Sequence, residues 1–231
     1  MLERYHDTIS ESVLFAGLDQ KAVLAMLKCL NPRLQDYKRN DYIFISGDSF
    51  TSVGIILEGL AGVLSEKPNG DRVVINTLKK SEVFGEMIAF SPLNQWPNTV
   101  QALKPCKTLL IPKARIIGEC PKLCPWHRSL VENFLKLLSQ KALMLNRKVE
   151  YLSIKGIRAK VSTYLYEQYR HSQSESVVLN LNRNELADFL SVSRPSMSRE
   201  ICKMRDEGII DFHLNRFKIK DSEALKSMAE L

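Results

Sequence analysis

The sequence has few of the residues that form disulfides, hold metals or cross membranes. Its five cysteines lie far apart except for Cys120 and Cys124, so neither a disulfide framework nor a C-x2-C metal pair is indicated. No apolar run approaches the ~20 residues of a membrane span, and the acidic start lacks a basic, apolar leader. We therefore expect a cytoplasmic protein with reduced thiols and no membrane partner.

Histidine is also scarce where an enzyme would need it. The four histidines are at positions 6, 127, 171 and 213, so the β-rich segment 33–111 contains none. A metal enzyme built on a β-roll usually draws two or three histidines from the roll. No glycine-rich phosphate loop, nucleophile elbow or paired-carboxylate motif is present. We therefore expect that the protein is not an enzyme, and we predict no metal site.

One local cluster of possible ligands leaves an alternative open. Cys120, Cys124 and His127 lie within eight residues of one another and would suit a redox, haem or metal sensor. Two prolines interrupt the cluster and no fourth ligand is nearby, so ordinary residues at a helix start are the simpler interpretation.

The length and charge of the chain allow two domains and a nucleic-acid partner. The 231 residues carry a net charge of +7, and 45% of them are hydrophobic. This composition is that of a globular protein with substantial cores. A basic balance permits DNA or RNA binding but does not locate it.

From residue 33 to residue 111, short β-branched and aromatic runs alternate with turn residues. The runs that predict strands are 42–45, 53–57, 61–64, 72–78, 99–103 and 107–111. Asn69-Gly70 between two of them is a strong hairpin signal, because both central positions of that turn need φ > 0. The spacing predicts a β-roll of the double-stranded jelly-roll type. Short helices precede it over residues 10–30, and an irregular connection follows it over residues 112–125.

Residues 126–152 predict one long helix with two adjacent apolar stripes. The first stripe alternates spacings of four and three, and consists of Val131, Leu135, Leu138, Ala142, Leu145, Val149 and Leu152. The second consists of Leu130, Phe134, Leu137, Met144 and Tyr151. A helix docked on a sheet needs one stripe, so the strict heptad stripe predicts a homodimer interface. A wide buried face in a monomer is the alternative.

The glycine after this helix predicts a hinge and a domain boundary at residues 153–156. The expected organisation is an α+β fold in three parts. They are a β-roll sensor domain with N-terminal helices over residues 1–125, a dimerisation helix over residues 126–152, and a DNA-binding domain over residues 153–231.

Two short helices separated by a tight turn are predicted in the C-terminal part. Asn182 and Glu185 form a capping box that opens a helix ending at Leu190. Ser193 is a good N-cap for the next helix, and Pro195 lies in its first turn, where a missing N–H costs little. This is a helix-turn-helix pattern. Residues 209–220 then read as strand, turn and strand, which predicts a β-wing.

The second of these helices has a basic outward face. Met197, Ile201 and Met204 recur at helical spacing and are expected to face the core. The opposite face suits phosphates and base edges in a major groove, although a merely solvated surface would show the same pattern. The candidate DNA contacts are Arg183, Ser193, Arg194, Pro195, Ser196, Ser198, Arg199 and Lys203.

A β-roll, a long helix and a winged helix-turn-helix, in that order, resemble the Crp/Fnr family of bacterial transcription regulators. The most specific pieces are VFGEMIAF over residues 83–90, similar to the family's glycine–glutamate segment, and SRPSMSREICKMRDEGII over residues 193–210, similar to its recognition helix. The resemblance implies a homodimer that binds an inverted-repeat site on double-stranded DNA. It also implies RNA polymerase as a partner if the protein is an activator.

The same resemblance assigns roles within the recognition helix. Arg194 and Arg199 match base-reading arginines, and Ser193 and Ser196 lie near phosphates. Several members carry a base-reading glutamate where this chain has Pro195, so the operator is expected to differ from that of the cyclic-AMP activator. A cyclic-nucleotide-binding subunit of a kinase or channel is an alternative of another class, but it leaves the helix-turn-helix unexplained.

The sensor segment departs from the cyclic-nucleotide members. By the resemblance Glu86 would hold a ribose, but Trp96-Pro97 replaces the arginine–serine pair that binds the cyclic phosphate. A buried phosphate needs charge-assisted donors, so an unidentified small effector other than cyclic AMP is expected. A cyclic-nucleotide response and a Trp96 that merely fills the roll are the alternatives. The candidate effector pocket comprises Gly85, Glu86, Met87, Trp96, Asn98, Thr99 and Phe134.

Overall fold

A computed structural model describes residues 2–66, 72–92, 95–118 and 126–230. The chain divides into two compact units, Met1–Lys141 and Ala142–Leu231. In the described ranges, no helix is long and apolar enough to cross a membrane.

Two short helices precede the roll, α1 (His6–Glu11) and α2 (Gln20–Leu30). Asp19 caps α2 by accepting a hydrogen bond from the Ala22 backbone N–H at 2.7 Å. The apolar face of α2, including Val23 and Met26, is buried in the N-terminal core. The prediction of short helices over residues 10–30 is therefore confirmed.

In the described part of the roll, eight strands form two four-stranded antiparallel sheets with the orders β1-β8-β3-β6 and β2-β7-β4-β5. The strands are β1 (Arg33–Tyr37), β2 (Tyr42–Phe44), β3 (Ser52–Glu58), β4 (Ala61–Glu66), β5 (Arg72–Leu78), β6 (Val83–Phe84), β7 (Thr99–Ala102) and β8 (Cys106–Pro112). All six predicted runs contribute strands. The sequence did not predict β1 and β6, because β1 is polar and largely exposed and β6 has only two residues.

Two short helices lie beside or after the strands. Helix α3 (Glu86–Ala89) follows β6, and helix α4 (Lys113–Ile117) follows β8. The prediction of an irregular connection is wrong for α4. Its five residues are too few for a periodic signal, although Ile116 packs into the N-terminal core. Asn69-Gly70 and residues 119–125 lie outside the described residues, but Glu66 does pair with Arg72 across the predicted hairpin.

Helix α5 (Trp126–Ser153) matches the predicted long helix. Its second apolar stripe begins as predicted, because Leu130, Phe134 and Leu137 are buried in the same core as strand residues such as Leu109. The two compact units divide between Lys141 and Ala142, inside this helix. The expected boundary at residues 153–156 therefore stays a prediction.

The C-terminal unit is a winged helix-turn-helix. Its elements are α6 (Ile157–Ser172), β9 (Ser176–Val178), α7 (Arg183–Leu190), α8 (Arg194–Asp206), β10 (Ile210–His213), β11 (Arg216–Ile219) and α9 (Ser222–Ser227). The three strands form one sheet in the order β10-β11-β9. Gly156 precedes α6 with φ of 87°, a conformation that glycine adopts without strain.

Candidate DNA-binding surface and effector segment

The start of α8 is fixed by two serines and a proline. Ser193 accepts a hydrogen bond from the Ser196 backbone N–H at 3.3 Å, and its hydroxyl donates to Ser196 Oγ at 2.8 Å. Pro195 occupies the first turn of the helix. The predicted cap is confirmed, and it leaves the N-terminus of α8 exposed to solvent with its backbone already ordered.

The preceding helix begins with the predicted capping box. Asn182 Oδ1 accepts from the Glu185 backbone N–H at 3.1 Å, and Glu185 Oε2 accepts from the Asn182 backbone N–H at 2.9 Å. Helix α7 ends at Leu190, and its C-cap Ser191 has the left-handed φ of 53°. Only three residues, 191–193, therefore separate α7 from α8.

The cations of α8 are exposed, in contrast to its buried row. Met197, Ile201 and Met204 are buried in the C-terminal core, as predicted, whereas Arg194, Arg199 and Lys203 are exposed and Ser196 and Ser198 are half-buried. Arg199 Nη2 donates to Ser196 Oγ at 3.2 Å. Arg194 has no ion-pair partner among the described residues. This face can therefore offer two guanidinium groups and an ammonium group to a polyanion.

Arg183 lies in a different environment from these cations. Its guanidinium carbon is 4.6 Å from the Phe217 ring centroid and 4.9 Å from that of Phe212. Burial lowers the pKa of its side chain, and its Nη1 has no hydrogen-bond partner among the described atoms. Arg183 therefore packs α7 against the wing, and its guanidinium is less available to DNA than those of Arg194 and Arg199.

The wing carries two cations that were not among the sequence candidates. On β11, Arg216 and Lys218 are exposed and alternate with the buried Phe217 and Ile219. The alternation of charged and apolar residues in RFKI, residues 216–219, could have identified them. Alternate residues of a strand point to opposite faces, so the two cations are expected on the exposed face. Exposed cations on a wing add to the positive surface of this domain.

The predicted dimer stripe on α5 is largely uncovered in the single chain. Leu135, Leu145, Val149 and Leu152 are between 54% and 62% exposed, and Ala142 is also exposed. Val131 and Leu138 are half-buried, and Leu138 packs against the N-terminal core. The stripe therefore exposes Leu135 and, from Ala142 onward, a continuous apolar row, while Leu138 lies against the N-terminal core.

Aromatic side chains fill the roll around Trp96, the residue that replaces the phosphate-binding arginine of the cyclic-nucleotide members. Trp96 is 7% exposed. Its ring stacks on Phe44 with centroids 5.4 Å apart and lies 5.3 Å from the Phe50 centroid. Phe84 belongs to the same buried cluster. Trp96 Nε1 has no partner within the part of the chain that the structure describes.

Gly85 is held closely against one of these rings. Its φ is 80°, and a Cβ added to it would lie 2.1 Å from Phe50 Cε1. The position therefore requires glycine for two independent reasons, the left-handed backbone and the ring that packs against it. In this conformation Phe50 occupies the space beside the Gly85 backbone.

Glu86 already has a cationic partner from within the chain. Its side chain is buried, and Oε1 accepts a hydrogen bond from Lys141 Nζ at 2.6 Å. Lys141 also donates to the Val83 carbonyl at 3.4 Å, while Glu86 Oε2 has no partner among the described residues. Lys141 was not among the sequence candidates, because it is 55 positions from Glu86 and no local pattern connects the two residues.

The seven candidate effector residues do not form one group. Phe50 contacts both Gly85 and Trp96, which links those two positions. Met87 is 62% exposed, and Phe134 packs on Phe90 in the N-terminal core instead.

Two candidate residues belong to the segment that leads into β7. Thr99 is buried and its hydroxyl accepts a hydrogen bond from the Ser46 backbone N–H at 3.2 Å. Asn98 is half-buried.

Of the three residues in the possible metal or redox cluster, the structure describes only His127. His127 Nε2 lies 2.7 Å from the Ile116 carbonyl oxygen, which accounts for one ring nitrogen. Cys120 and Cys124 lie outside the described residues. Over the described ranges, no group of three or more His, Cys, Asp or Glu side chains is arranged to hold a metal ion.

Comparisons with known proteins match both halves of this architecture. The cyclic nucleotide-binding domain model matches residues 34–120, and the Crp-like helix-turn-helix domain model matches residues 159–228.

The similar proteins match over most of their length. The chain is 21% identical over 231 residues to the CRP-like cAMP-activated global transcriptional regulator of Mycobacterium tuberculosis, covering 96% of this chain and 99% of that protein. It is 23% identical over 197 residues to the transcriptional activator protein FnrA of Stutzerimonas stutzeri, covering 83% and 78%.

A solved structure shows the same fold. The catabolite activator protein of Thermus thermophilus superposes with a TM-score of 0.53 at 19% identity, covering 94% of this chain and 98% of that chain. With a cyclic nucleotide-binding-type domain followed by a Crp-like helix-turn-helix on one chain, the protein belongs to the Crp/Fnr family of transcription regulators.

Proposed function

We propose that the protein is a homodimeric regulator that binds an inverted-repeat DNA site through α8 and responds to a small effector other than cyclic AMP. The observation that carries the DNA-binding part is the capped α8, in which Arg194 and Arg199 are exposed whereas Met197 and Ile201 are buried. Arginine recognises guanine through two parallel hydrogen bonds. The protein would act in the cytoplasm, and an activating role would add RNA polymerase as a partner.

The homodimer is supported by the exposed heptad stripe of α5. Leu145, Val149 and Leu152 would be costly to leave in water, and a parallel helix pair would cover them. A two-fold dimer places two copies of α8 on the same face of the duplex, with half-sites about 34 Å apart. The operator is therefore expected to be an inverted repeat.

The proposal of a different effector rests on the contacts of Glu86 and Trp96. A cyclic nucleotide would have to compete with Lys141 for the Glu86 carboxylate and to displace the Phe50 ring from Gly85. The segment also lacks the arginine that would offset desolvation of a phosphate. Cyclic AMP remains the second candidate, because the Mycobacterium tuberculosis relative is named as cAMP-activated.

Two measurements test these proposals. DNA fragments captured from a genomic library by the purified protein should be enriched in one inverted-repeat motif, and the absence of any enriched motif would contradict the DNA-binding proposal. Thermal-shift measurements with cyclic AMP and cyclic GMP should show no change in the melting temperature. A saturable rise would instead favour the cyclic-nucleotide candidate.

A further inference from the structure

Arg158, near the start of α6, connects α6 to two separate points of α8. Its Nε donates to Glu200 Oε1 at 2.6 Å, and its two terminal nitrogens donate to the two carboxylate oxygens of Glu207 at 2.7 Å each. Glu200 lies in the middle of α8 and Glu207 is its C-terminal cap. They are seven positions apart, so one guanidinium fixes α8 along about 10 Å of its axis.

Lys160, two residues further along α6, holds the other helix of the pair. Its side chain is buried, and Nζ donates to the Leu190 carbonyl at 3.0 Å. Leu190 is the last residue of α7, where backbone carbonyls lack intrahelical partners and favour a cation. The first turn of α6 therefore bonds to both helices of the helix-turn-helix.

These polar bonds are directional, whereas the apolar packing beneath α8 is less so. Two of the three side chains in its buried row are Met197 and Met204, and methionine adapts to irregular or shifted surroundings. A guanidinium that binds a carboxylate through two parallel bonds requires one relative orientation. Arg158 is therefore the feature of α6 best suited to set the rotation of α8.

We propose that Arg158 is a positioning residue for operator recognition. It sets the orientation of α8 on α6, and so determines how well Arg194 and Arg199 discriminate between bases, while Lys160 fixes α7 from the same turn. This inference rests on the proposed DNA-binding function. It assigns Arg158 no contact with DNA.

The solvent exposure of the Arg158 ion pairs distinguishes a positioning role from a contribution to stability. The Arg158 side chain is 34% exposed and that of Glu207 is 45% exposed. Solvent screens a pair as exposed as this one, which limits its contribution to stability. Loss of Arg158 should therefore reduce discrimination between DNA sequences more than it reduces the stability of the domain.

The test compares affinity for the captured operator with affinity for a shuffled duplex of equal length, at several salt concentrations, using the full-length protein. Arg158→Met should reduce the operator-to-shuffled affinity ratio about fivefold to tenfold. The salt slope should not change, because no phosphate contact is lost. Arg158→Lys keeps the charge but not the two parallel bonds, so it should recover only part of the ratio.

Two further variants control this experiment. Lys155→Met removes an exposed cation three residues away that has no ion-pair partner among the described residues, and it should leave the ratio unchanged. Glu207→Gln removes the partner without touching α6, and it should lower the ratio even if Arg158→Met does not fold. The effects of Arg158→Met and Glu207→Gln should be less than additive, since both break the same bonds.

The outcomes are distinguishable. A wild-type protein that prefers an operator, together with Arg158→Met and Glu207→Gln variants that keep the wild-type ratio, would overturn only this inference. Fully additive effects of the two substitutions would overturn it as well. A wild-type protein without any operator preference would overturn the proposed function, and the positioning role with it.

Discussion

Lys141 on α5 donates to the buried carboxylate of Glu86 on α3 at 2.6 Å. Glu86 is 2% exposed, so the ammonium group is the partner that offsets the cost of burying this charge. The pair lies within the N-terminal unit and ties the glycine–glutamate segment to the long helix. In this conformation, therefore, an intramolecular cation occupies one oxygen of the carboxylate that the family resemblance assigns to a ligand.

Removal of Lys141 should destabilise the N-terminal unit. Lys141→Met leaves the Glu86 charge buried and unpaired, and we expect a loss of about 1–3 kcal/mol in the free energy of unfolding. Urea denaturation followed by circular dichroism measures this. The double variant Lys141→Met/Glu86→Gln should recover part of the loss, and equal stability of the wild type and Lys141→Met would show that the pair contributes little.

The two exposed arginines of α8 should each control one base position. Arg194→Ala and Arg199→Ala are expected to weaken operator binding by about 1–3 kcal/mol each and to relax selectivity at one position. Fluorescence anisotropy with operators randomised one base pair at a time checks this. Lys203→Ala serves as a comparison and should weaken binding to all sequences about equally. An unchanged base preference in both arginine variants would remove their assignment as base readers.

The apolar stripe of α5 should hold two copies of the chain together. Leu145→Glu places a charge in the proposed interface and is expected to shift the protein from dimer to monomer. Leu143 has the same chemistry and a similar exposure but lies off the stripe, so Leu143→Glu should leave the dimer intact. Sedimentation velocity distinguishes the two species. Equal behaviour of both variants would contradict the predicted seam.

Gly85 should not tolerate even a methyl side chain. Gly85→Ala is expected to lower the melting temperature, because its φ of 80° is unfavourable for alanine and the added Cβ would meet the Phe50 ring at 2.1 Å. Combination with Phe50→Leu should relieve the clash but not the backbone strain, so recovery should be partial. Full recovery would show that the backbone conformation at Gly85 adapts freely.

Glu207 should make the stability of the C-terminal unit depend on pH. The hydrogen bonds from Arg158 lower the pKa of this carboxyl below its ordinary value. Since the folded-state pKa is depressed, its contribution is present above the unfolded-state pKa and is lost as the pH falls through the folded-state pKa. Titration of the Glu207 carboxyl by NMR should show a higher pKa in Arg158→Met, and an unchanged pKa would contradict the pairing.

Local patterns predicted much of the fold. The capping box at Asn182 and the cap at Ser193 depend on residues three positions apart, so the sequence shows them directly. The buried line Leu130–Phe134–Leu137 follows from helical periodicity. The β-branched and aromatic runs between residues 33 and 111 also predicted six strands, because such residues are enriched in strands.

The features that escaped prediction depend on contacts between distant positions. Glu86 and Lys141, or Arg158 and Glu207, are paired across 55 and 49 residues, and neither residue of a pair carries a local signal for the other. Arg183 looked like an exposed cation until the wing placed Phe212 and Phe217 beneath it. The polar strand β1 is held by its backbone pairing with β8. Because backbone hydrogen bonds do not depend on side-chain type, the residues of β1 do not indicate this pairing.

The packing around Trp96 has a consequence for engineering. Restoration of an arginine at position 96 would not by itself give this protein a cyclic-nucleotide response, because Phe44 and Phe50 would still surround the new guanidinium with hydrocarbon. A designed sensor would have to exchange the aromatic residues at several positions together and release Glu86 from Lys141 in the same step. Single substitutions around Trp96 should therefore reduce the stability of the roll without changing its ligand specificity.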